Sequence, residues 1–577
     1  MEKWSASHPR RCYAAQAALY LRPLSRDNRP PSDPDEVDSG PGHRWTILRI
    51  MTSKAAPSTL VEDLERALVR CDTRSGFALL NVAFAKRPAL ELRGSDSMSL
   101  LLCMAQWTDL GYRDIAFLDG LTVGLPGIDR AQLTVIQFLK LKMFEAYRHL
   151  AAEELEQSIA ILDLVLRIGD NLLGNHLFFL ANFWKGRAHR KRGDYEQALL
   201  HISLARAAGE RAKAPKLVAM TKIHESWLAF QNGERQYAFQ LLDEAERALR
   251  STGHALSLGN IESARGRFVR RSGEYTRALG HFEAAIAIYQ DSCPEHPNLA
   301  RALVNAAYVK RLIALDLQPR GNGGHAIGAT HAKSLKLARE ALDLLEQAGR
   351  IYALHHHQGG TGSVLVNAAH LHLESGDIDR ASTEGRRAFD LGEDKSDQIL
   401  MARAKIVLSA VELVRSEEQL GERPDVALHA NLAVQYAEKA IDLALHTQNK
   451  RLLAEAYIAR GMAAAADYFQ GWEIAKEYAG KAGALLSRDD RDHLYKVLGD
   501  LKAKLVGATR VEETLRLWSD GQLGNKTFQQ IQEEFAELVI PKVWLQSGKN
   551  VTSVSKSLSI SPKKVRRILR NAKHGMS

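Results

Sequence analysis

Five basic residues, Lys563, Lys564, Arg566, Arg567 and Arg570, fall within eight positions of the segment SPKKVRRILRN, interleaved with Val565, Ile568 and Leu569. Ammonium and guanidinium groups crowded together without a carboxylate suit one chemistry above others: they neutralise the phosphates of a polyanion and release its counterions. Residues 541–577 hold nine Lys or Arg and no Asp or Glu, whereas the whole chain of 577 residues has a formal net charge of +10. The rest of the chain is therefore close to neutral, and the basic excess belongs to one short segment. A helix that merely faces water mixes both signs for i,i+4 pairing, so a face of one sign points to phosphate.

A second group, Arg187, Trp227, Arg267, Tyr308 and His370, is scattered in sequence but occupies one repeated position. Two guanidiniums with three aromatic rings can hold an anionic ligand or a peptide by paired hydrogen bonds and stacking. What must position them is a repeat. The segments RKRGDYEQAL, FQNGERQYAF and RRSGEYTRAL share one turn, with Gly193, Gly233 and Gly273 forty residues apart, and ESGDIDRAS with Gly376 is a fourth copy. Seven residues before each glycine stands a small residue: Gly186, Ser226, Gly266 and Ala369. After each turn runs Ala, a large residue and Ala, as in Ala198/Ile202/Ala205, Ala238/Leu242/Ala245 and Ala278/Phe282/Ala285. The same spacing recurs at Ala341/Leu345/Ala348, Ala437/Ile441/Ala444 and Ala475/Ala479/Ala482. Small residues at one level let antiparallel helices approach, the large residue fills the groove between them, and a left-handed glycine ends the first helix. Hairpins of this kind bury their apolar faces only by stacking, which predicts an all-α solenoid of about seven pairs between roughly 170 and 485, with degenerate pairs before them.

The pattern resembles the tetratricopeptide repeat (TPR) in the longer form found in MalT-like regulators, over more than half the chain. That resemblance implies a right-handed superhelix whose concave face takes a protein or peptide partner, with the five residues named above lining it. The period of 40 in place of 34, and the scarcity of the family's tryptophan and proline landmarks, set this chain apart from the consensus.

The C-terminal segment reads as three helices. Ile531, Phe535, Leu538, Val539 and Val543 form a stripe on the first, which Pro541 is expected to kink or break. Asn550 caps a second helix with Val551, Val554 and Leu558 inward, and Ser561 caps a third that starts at Pro562. Two short helices, the second basic, joined by a three- to four-residue turn make a helix-turn-helix. On the Gly548 helix end, Asn550, the turn 558–561 and the Val565/Leu569 spacing, the segment resembles the Fis-type DNA-binding domain found at the end of many bacterial enhancer-binding activators. The resemblance implies DNA contacts from Asn550, Ser561, Lys563, Lys564, Arg566 and Arg567, and Arg570 extends the same basic surface. Where that family often carries Asn-Arg, this chain has Ser561-Pro562, which removes a base-reading pair.

Other features exclude more than they suggest. Four cysteines (Cys12, Cys71, Cys103, Cys293) match no metal or redox spacing and suit a reducing cytosol. No apolar run is long enough for a membrane span. The stretch HHHQGGTGS, 355–363, lacks the Lys-Ser/Thr of a phosphate-binding loop and is expected to be a solvent loop, as is the glycine-rich insertion 316–334. No catalytic motif appears, and neither a cofactor nor a metal is expected. The first fifty residues hold six of the sixteen prolines. They read as a disordered extension, or translation begins at Met51, ahead of a helix capped by Ser58 or Thr59. The expected layout is therefore an extension over 1–50, degenerate pairs over 51–165, a solenoid over 166–508 and a Fis-type unit over 509–577. The function expected is that of a cytoplasmic bacterial transcription regulator, homodimeric on double-stranded DNA. A TPR interaction scaffold with a non-specific basic tail is the alternative.

Overall fold

A computed structural model describes residues 57–86, 97–113, 115–122, 130–169, 172–252, 254–317, 327–418, 425–487, 489–505 and 526–574. The 1–50 extension, Met51, Cys12 and the 509 boundary lie outside them. The described residues form helices without strands, and no helix among them is long and apolar enough to cross a membrane.

Four helices open the described chain: α1 (Pro57–Arg70), α2 (Thr73–Lys86), α3 (Ser97–Asp109) and α4 (Ile115–Thr122). Because α1 begins at Pro57, Ser58 and Thr59 lie in its first turn and do not precede it. Eight hairpins follow: α5/α6 (Val135–Ala151, Leu155–Ile168), α7/α8 (Asn175–Arg192, Tyr195–Arg211), α9/α10 (Pro215–Gln231, Arg235–Leu249) and α11/α12 (Ala255–Arg271, Tyr275–Ser292). Then come α13/α14 (Pro297–Asp316, Ile327–Leu354), α15/α16 (Gln358–Glu374, Ile378–Asp394), α17/α18 (Gln398–Glu418, Val426–Leu445) and α19/α20 (Lys450–Ala464, Trp472–Leu485). Helix α21 spans 493–505. The result is an all-α, TPR-like solenoid, with one regular hairpin, α5/α6, ahead of the seven read from the sequence. Its apolar core is continuous from Val61 to Leu371, so α1–α4 and the repeats share one interior.

The repeat works as its spacing dictates. Gly193, Gly233, Gly273 and Gly376 have φ of 91°, 89°, 79° and 83°, a left-handed turn that residues with a Cβ adopt only at a cost. A Cβ built on Gly266 would lie 2.9 Å from the Phe282 ring, and one on Gly186 would lie 2.8 Å from Ile202. The paired helices thus touch at the small residue, and the large residue of the second helix fills the space. Ile202, Leu242 and Phe282 are buried, as are the alanines that flank them. Two expected loops are shorter than they read. Helix α14 starts at Ile327 and takes up the end of the 316–334 insertion, whose residues 318–326 lie outside the description. The glycines of 355–363 are helical: His357 caps α15 by accepting from the Gly360 amide at 2.9 Å, and Gly360 gives Tyr352 room that a Cβ would occupy at 2.5 Å.

One further set of contacts determines the shape. The solenoid coils until distant hairpin turns meet. The Gln448 amide donates to the Gly193 carbonyl at 2.9 Å, and the Arg491 amide to the Arg271 carbonyl at 2.8 Å. Arg235 pairs with Asp490 at 3.2 Å, while Arg451 binds both Asp490 and Asp492. Glu153, between α5 and α6, accepts from the Gly359 amide at 2.8 Å, a contact spanning 206 positions. An open concave groove is therefore replaced by an enclosed interior.

The tail is a separate three-helix unit: α22 (Phe528–Gln546), α23 (Val551–Ser557) and α24 (Pro562–His574), packed around Ile540, Val554, Val565 and Ile568. Pro541 does not break α22 into two elements; it sits within one continuous helix. Ile540, absent from the stripe read in the sequence, is the α22 residue at the centre of this core, whereas Phe535 is exposed.

Candidate functional site

The two cationic groups sit in different surroundings. In the tail, the Asn550 side chain accepts from the Thr552 and Ser553 amides at 2.9 and 3.2 Å, ending α23 in the extended backbone a cap requires. Ser561 does the same for α24, accepting from the Lys564 amide at 3.2 Å. Val565 and Ile568 point inward, and Lys563, Arg566, Arg567 and Arg570 are exposed on the opposite face. The basic surface carries one acid that the segment 541–577 did not reveal. Glu533 of α22 pairs with Lys564 at 3.1 Å and with Arg567, and these hydrogen bonds hold its carboxyl below the ordinary glutamate range. Trp544 packs against the tail core and is not a surface ring, while Phe528, Phe535 and Leu545 are the exposed apolar residues of α22.

In the solenoid, Arg187, Trp227 and Arg267 line a cavity of about 240 Å³ inside the coil. Tyr308 and His370 do not. The Tyr308 ring lies 4.7 Å from the Arg270 guanidinium, and His370 lies near Arg311, His493 and Arg403, further along the interior. Three of the five equivalent repeat positions therefore converge on one space, and the other two are carried past it as successive hairpins turn.

The cavity is completed by residues at positions other than the repeated one. Its lining holds six cationic side chains, adding Arg113, Arg190, Lys191 and Arg301 to Arg187 and Arg267, against one carboxylate, Asp109. Asp109 is committed to Arg187 at 2.5 Å and to the Trp184 indole at 3.1 Å, with the Tyr147 hydroxyl at 3.3 Å. Lys191 faces Glu153 at 3.6 Å. Arg190 stacks over Trp227 at 5.4 Å, and its Nε is buried without a hydrogen-bond partner. Among the described residues, Arg267 donates to the Ser263 carbonyl at 3.3 Å. Burial, with Arg301 and Arg187 nearby, pushes Arg190 down to about 10. Burial, with Arg301, Arg190 and Arg270, pushes Arg267 down to about 9. His224 is driven well below its usual value by burial and the same arginines, and His296 falls to about 3. This is an enclosed positive field with little internal compensation. Arg190 stands three residues after Arg187 on the same helix face, a signal legible in RAHRKR once the interior, and not a single repeat position, is taken as the surface.

The lining extends to the α14–α15 turn through Tyr352, His355 and His357. His355 donates to the Glu295 carbonyl at 2.6 Å, and His357 Nδ1 lies 3.2 Å from Glu153. Burial alone would raise the Glu153 carboxyl, but Lys191, His357 and the Gly359 amide hold it below the ordinary range.

Comparison with known proteins adds the general shape alone. No protein-family model matches the chain, and no curated protein matches it. Among solved structures, the apo form of the quorum sensor NprR from B. thuringiensis superposes with a TM-score of 0.44 at 11% identity, over 66% of this chain and 98% of that one. A human IFIT1 dimer with m7Gppp-AAAA gives 0.41 at 12% identity, over 77% and 93%. A Rap protein complexed with Competence and Sporulation Factor gives 0.40 at 15% identity, over 67% and 100%. Likeness this distant carries no functional argument, and the site must be read from its own residues.

Proposed function

We propose that this protein is a DNA-binding transcription regulator in which the solenoid senses a ligand or partner and the Fis-type tail docks on duplex DNA. The observation that supports it is the segregation of α24: Val565 and Ile568 are buried while Lys563, Arg566, Arg567 and Arg570 face outward from a helix capped at Ser561. A short basic helix held rigidly against a second by a tight turn has the dimensions of the major groove. In this reading Asn550, Ser561, Lys563 and Lys564 sit nearest the bases, and Arg566, Arg567 and Arg570 hold phosphates. One such helix reads few base pairs, so two copies would bind half-sites about 34 Å apart. The exposed Phe528, Phe535 and Leu545 of α22 provide the apolar surface for pairing. Selection of random duplexes by the purified full chain tests the reading. An enriched motif, with dyad symmetry, is the expected outcome; retention without enrichment sinks it.

A second reading, an interaction scaffold whose tail binds nucleic acid without sequence preference, is favoured by one observation: Glu533 already engages Lys564 and Arg567. Under it, selection returns no motif but binding persists at low salt.

A further inference from the structure

We propose that the interior cavity binds a small polyanion bearing at least two adjacent phosphate-type charges, held by Arg190, Arg267 and Arg301. This deepens the sensing role proposed above and rests on it only for its consequence; the binding itself stands on the cavity.

Three helices contribute the three guanidiniums. Arg190 closes α7, Arg267 lies in the last two turns of α11, and Arg301 lies in the first turns of α13. They face one space of about 240 Å³ whose single lining carboxylate, Asp109, is already saturated by Arg187, Trp184 and Tyr147. None of the three makes an ion pair with a carboxylate among the described residues, and Arg190 keeps a buried Nε with no acceptor. Like charges gathered in a recess repel one another, and a buried donor without an acceptor loses its water without replacement. An anion in the cavity would answer both, accepting from the orphaned donors and screening the repulsion. Phosphate is favoured over carboxylate because its oxygens accept from several directions at once, as guanidiniums converging from three helices require, while a carboxylate offers lone pairs in one plane. Two adjacent charges match the excess: four guanidiniums are left over once Arg187 is assigned to Asp109 and Lys191 to Glu153, and Arg113 is held among the Phe84, Tyr112 and Phe117 rings, which leaves Arg190, Arg267 and Arg301 for the anion. The cavity is small and closed on the α14–α15 side, so the occupant is a small molecule and not a nucleic-acid strand.

The test is isothermal titration of the full-length protein with sodium tripolyphosphate, with ATP and with citrate, in parallel with thermal melts. One saturable site per chain is expected for tripolyphosphate or ATP, with a raised melting temperature. A tighter fit for ATP would place the source among nucleotides, and equal affinity would place it among bare polyphosphates. Arg301→Gln, at an exposed position, should weaken binding at least about tenfold without harming the fold. Arg190→Gln and Arg267→Gln should weaken it comparably while leaving the unliganded protein as stable or more so, a combination a merely structural arginine would not give. An Arg566→Ala/Arg570→Ala variant should bind tripolyphosphate as the parent does. The proposal is overturned by the absence of a saturable site, by citrate binding as tightly as tripolyphosphate, or by binding that survives the cavity variants and disappears in the tail variant. Loss of DNA binding in the tail variant bears on the regulator reading and leaves this one untouched.

Discussion

The interior of the solenoid and the outer face of the tail are both arginine-rich, yet they differ in almost every physical respect. Around α24 the cations Lys563, Arg566, Arg567 and Arg570 stand in water, and Lys564 and Arg567 are paired with Glu533. Inside the coil, Arg190 and Arg267 are pushed down by burial and by each other. Exposed charge is cheap and screened by salt, so it suits a long polyanion met along its length. Enclosed charge is costly to leave unanswered, so it suits a small occupant that fits. A count of arginines therefore teaches nothing about a partner until burial is known.

The largest effect expected from separating the two regions is a deletion. Removing 526–577 should reduce duplex binding by at least about 100-fold in a mobility-shift assay, since non-specific and specific affinity both draw on those bases. Tripolyphosphate binding and the melting temperature of the solenoid should stay as they were. Residual DNA binding at parental strength would dissolve the distinction between the surfaces.

Acid should strike the regions unequally. Buried histidines in the solenoid are held neutral: His201 and His296 are lowered to about 3, His176 and His357 to about 4, with burial the leading cause each time. Their pKa values are depressed on folding, so between about pH 6.5 and these values the unfolded chain binds more protons and stability falls as pH falls. Each withdraws up to about 2 kcal/mol between pH 6.5 and 5. Thermal melts of the full chain at pH 7.5 and 5.0 should show a large downward shift of the solenoid transition, and an unchanged transition would mean these imidazoles are not desolvated.

Gly266→Leu should cost ~1–3 kcal/mol by driving a side chain into Phe282, read as a lowered melting temperature. Because Arg267 is the next residue, tripolyphosphate binding should weaken with it, while DNA binding by the tail should not change. Smaller still, Arg566→Ala should reduce the slope of log affinity against log salt by about one. Smallest is Glu533→Gln, which frees Lys564 and Arg567 and should raise DNA affinity ~2–5-fold. A loss of affinity there would mean that Glu533 orients the two bases productively.

Local rules carried the fold a long way. Glycine at the turn, a small residue seven before it and a large residue between alanines are all one-dimensional signals of contacts within a hairpin, and Gly193, Gly266 and Phe282 sit as those signals require. The same holds for the caps at Asn550 and Ser561. What the pattern did not convey depends on accumulated rotation. Arg187 and Arg267 meet Arg190 and Arg301 because three hairpins curve around one space, whereas Tyr308 and His370 at equivalent positions are carried past it. Glu533 escaped notice for a related reason, since a count of charges along 541–577 does not see an acid brought in from the preceding part of α22.

The seams between distant turns also bear on how the chain acquires its shape. Hairpins made of neighbouring helices need only short loop closures and form early, while contacts such as Glu196 with Gln448, separated by 252 positions, or Arg235 with Asp490, separated by 255, must wait for nearly the whole chain. During synthesis the first hairpins would thus stack as an open ribbon, and the coil would shut only when residues near 490 have left the ribosome. Undoing these seams together, at Gly193, Arg271, Asp490 and Gly359, would return the molecule to that ribbon with every hairpin intact, so a small set of contacts defines an opening step distinct from unfolding.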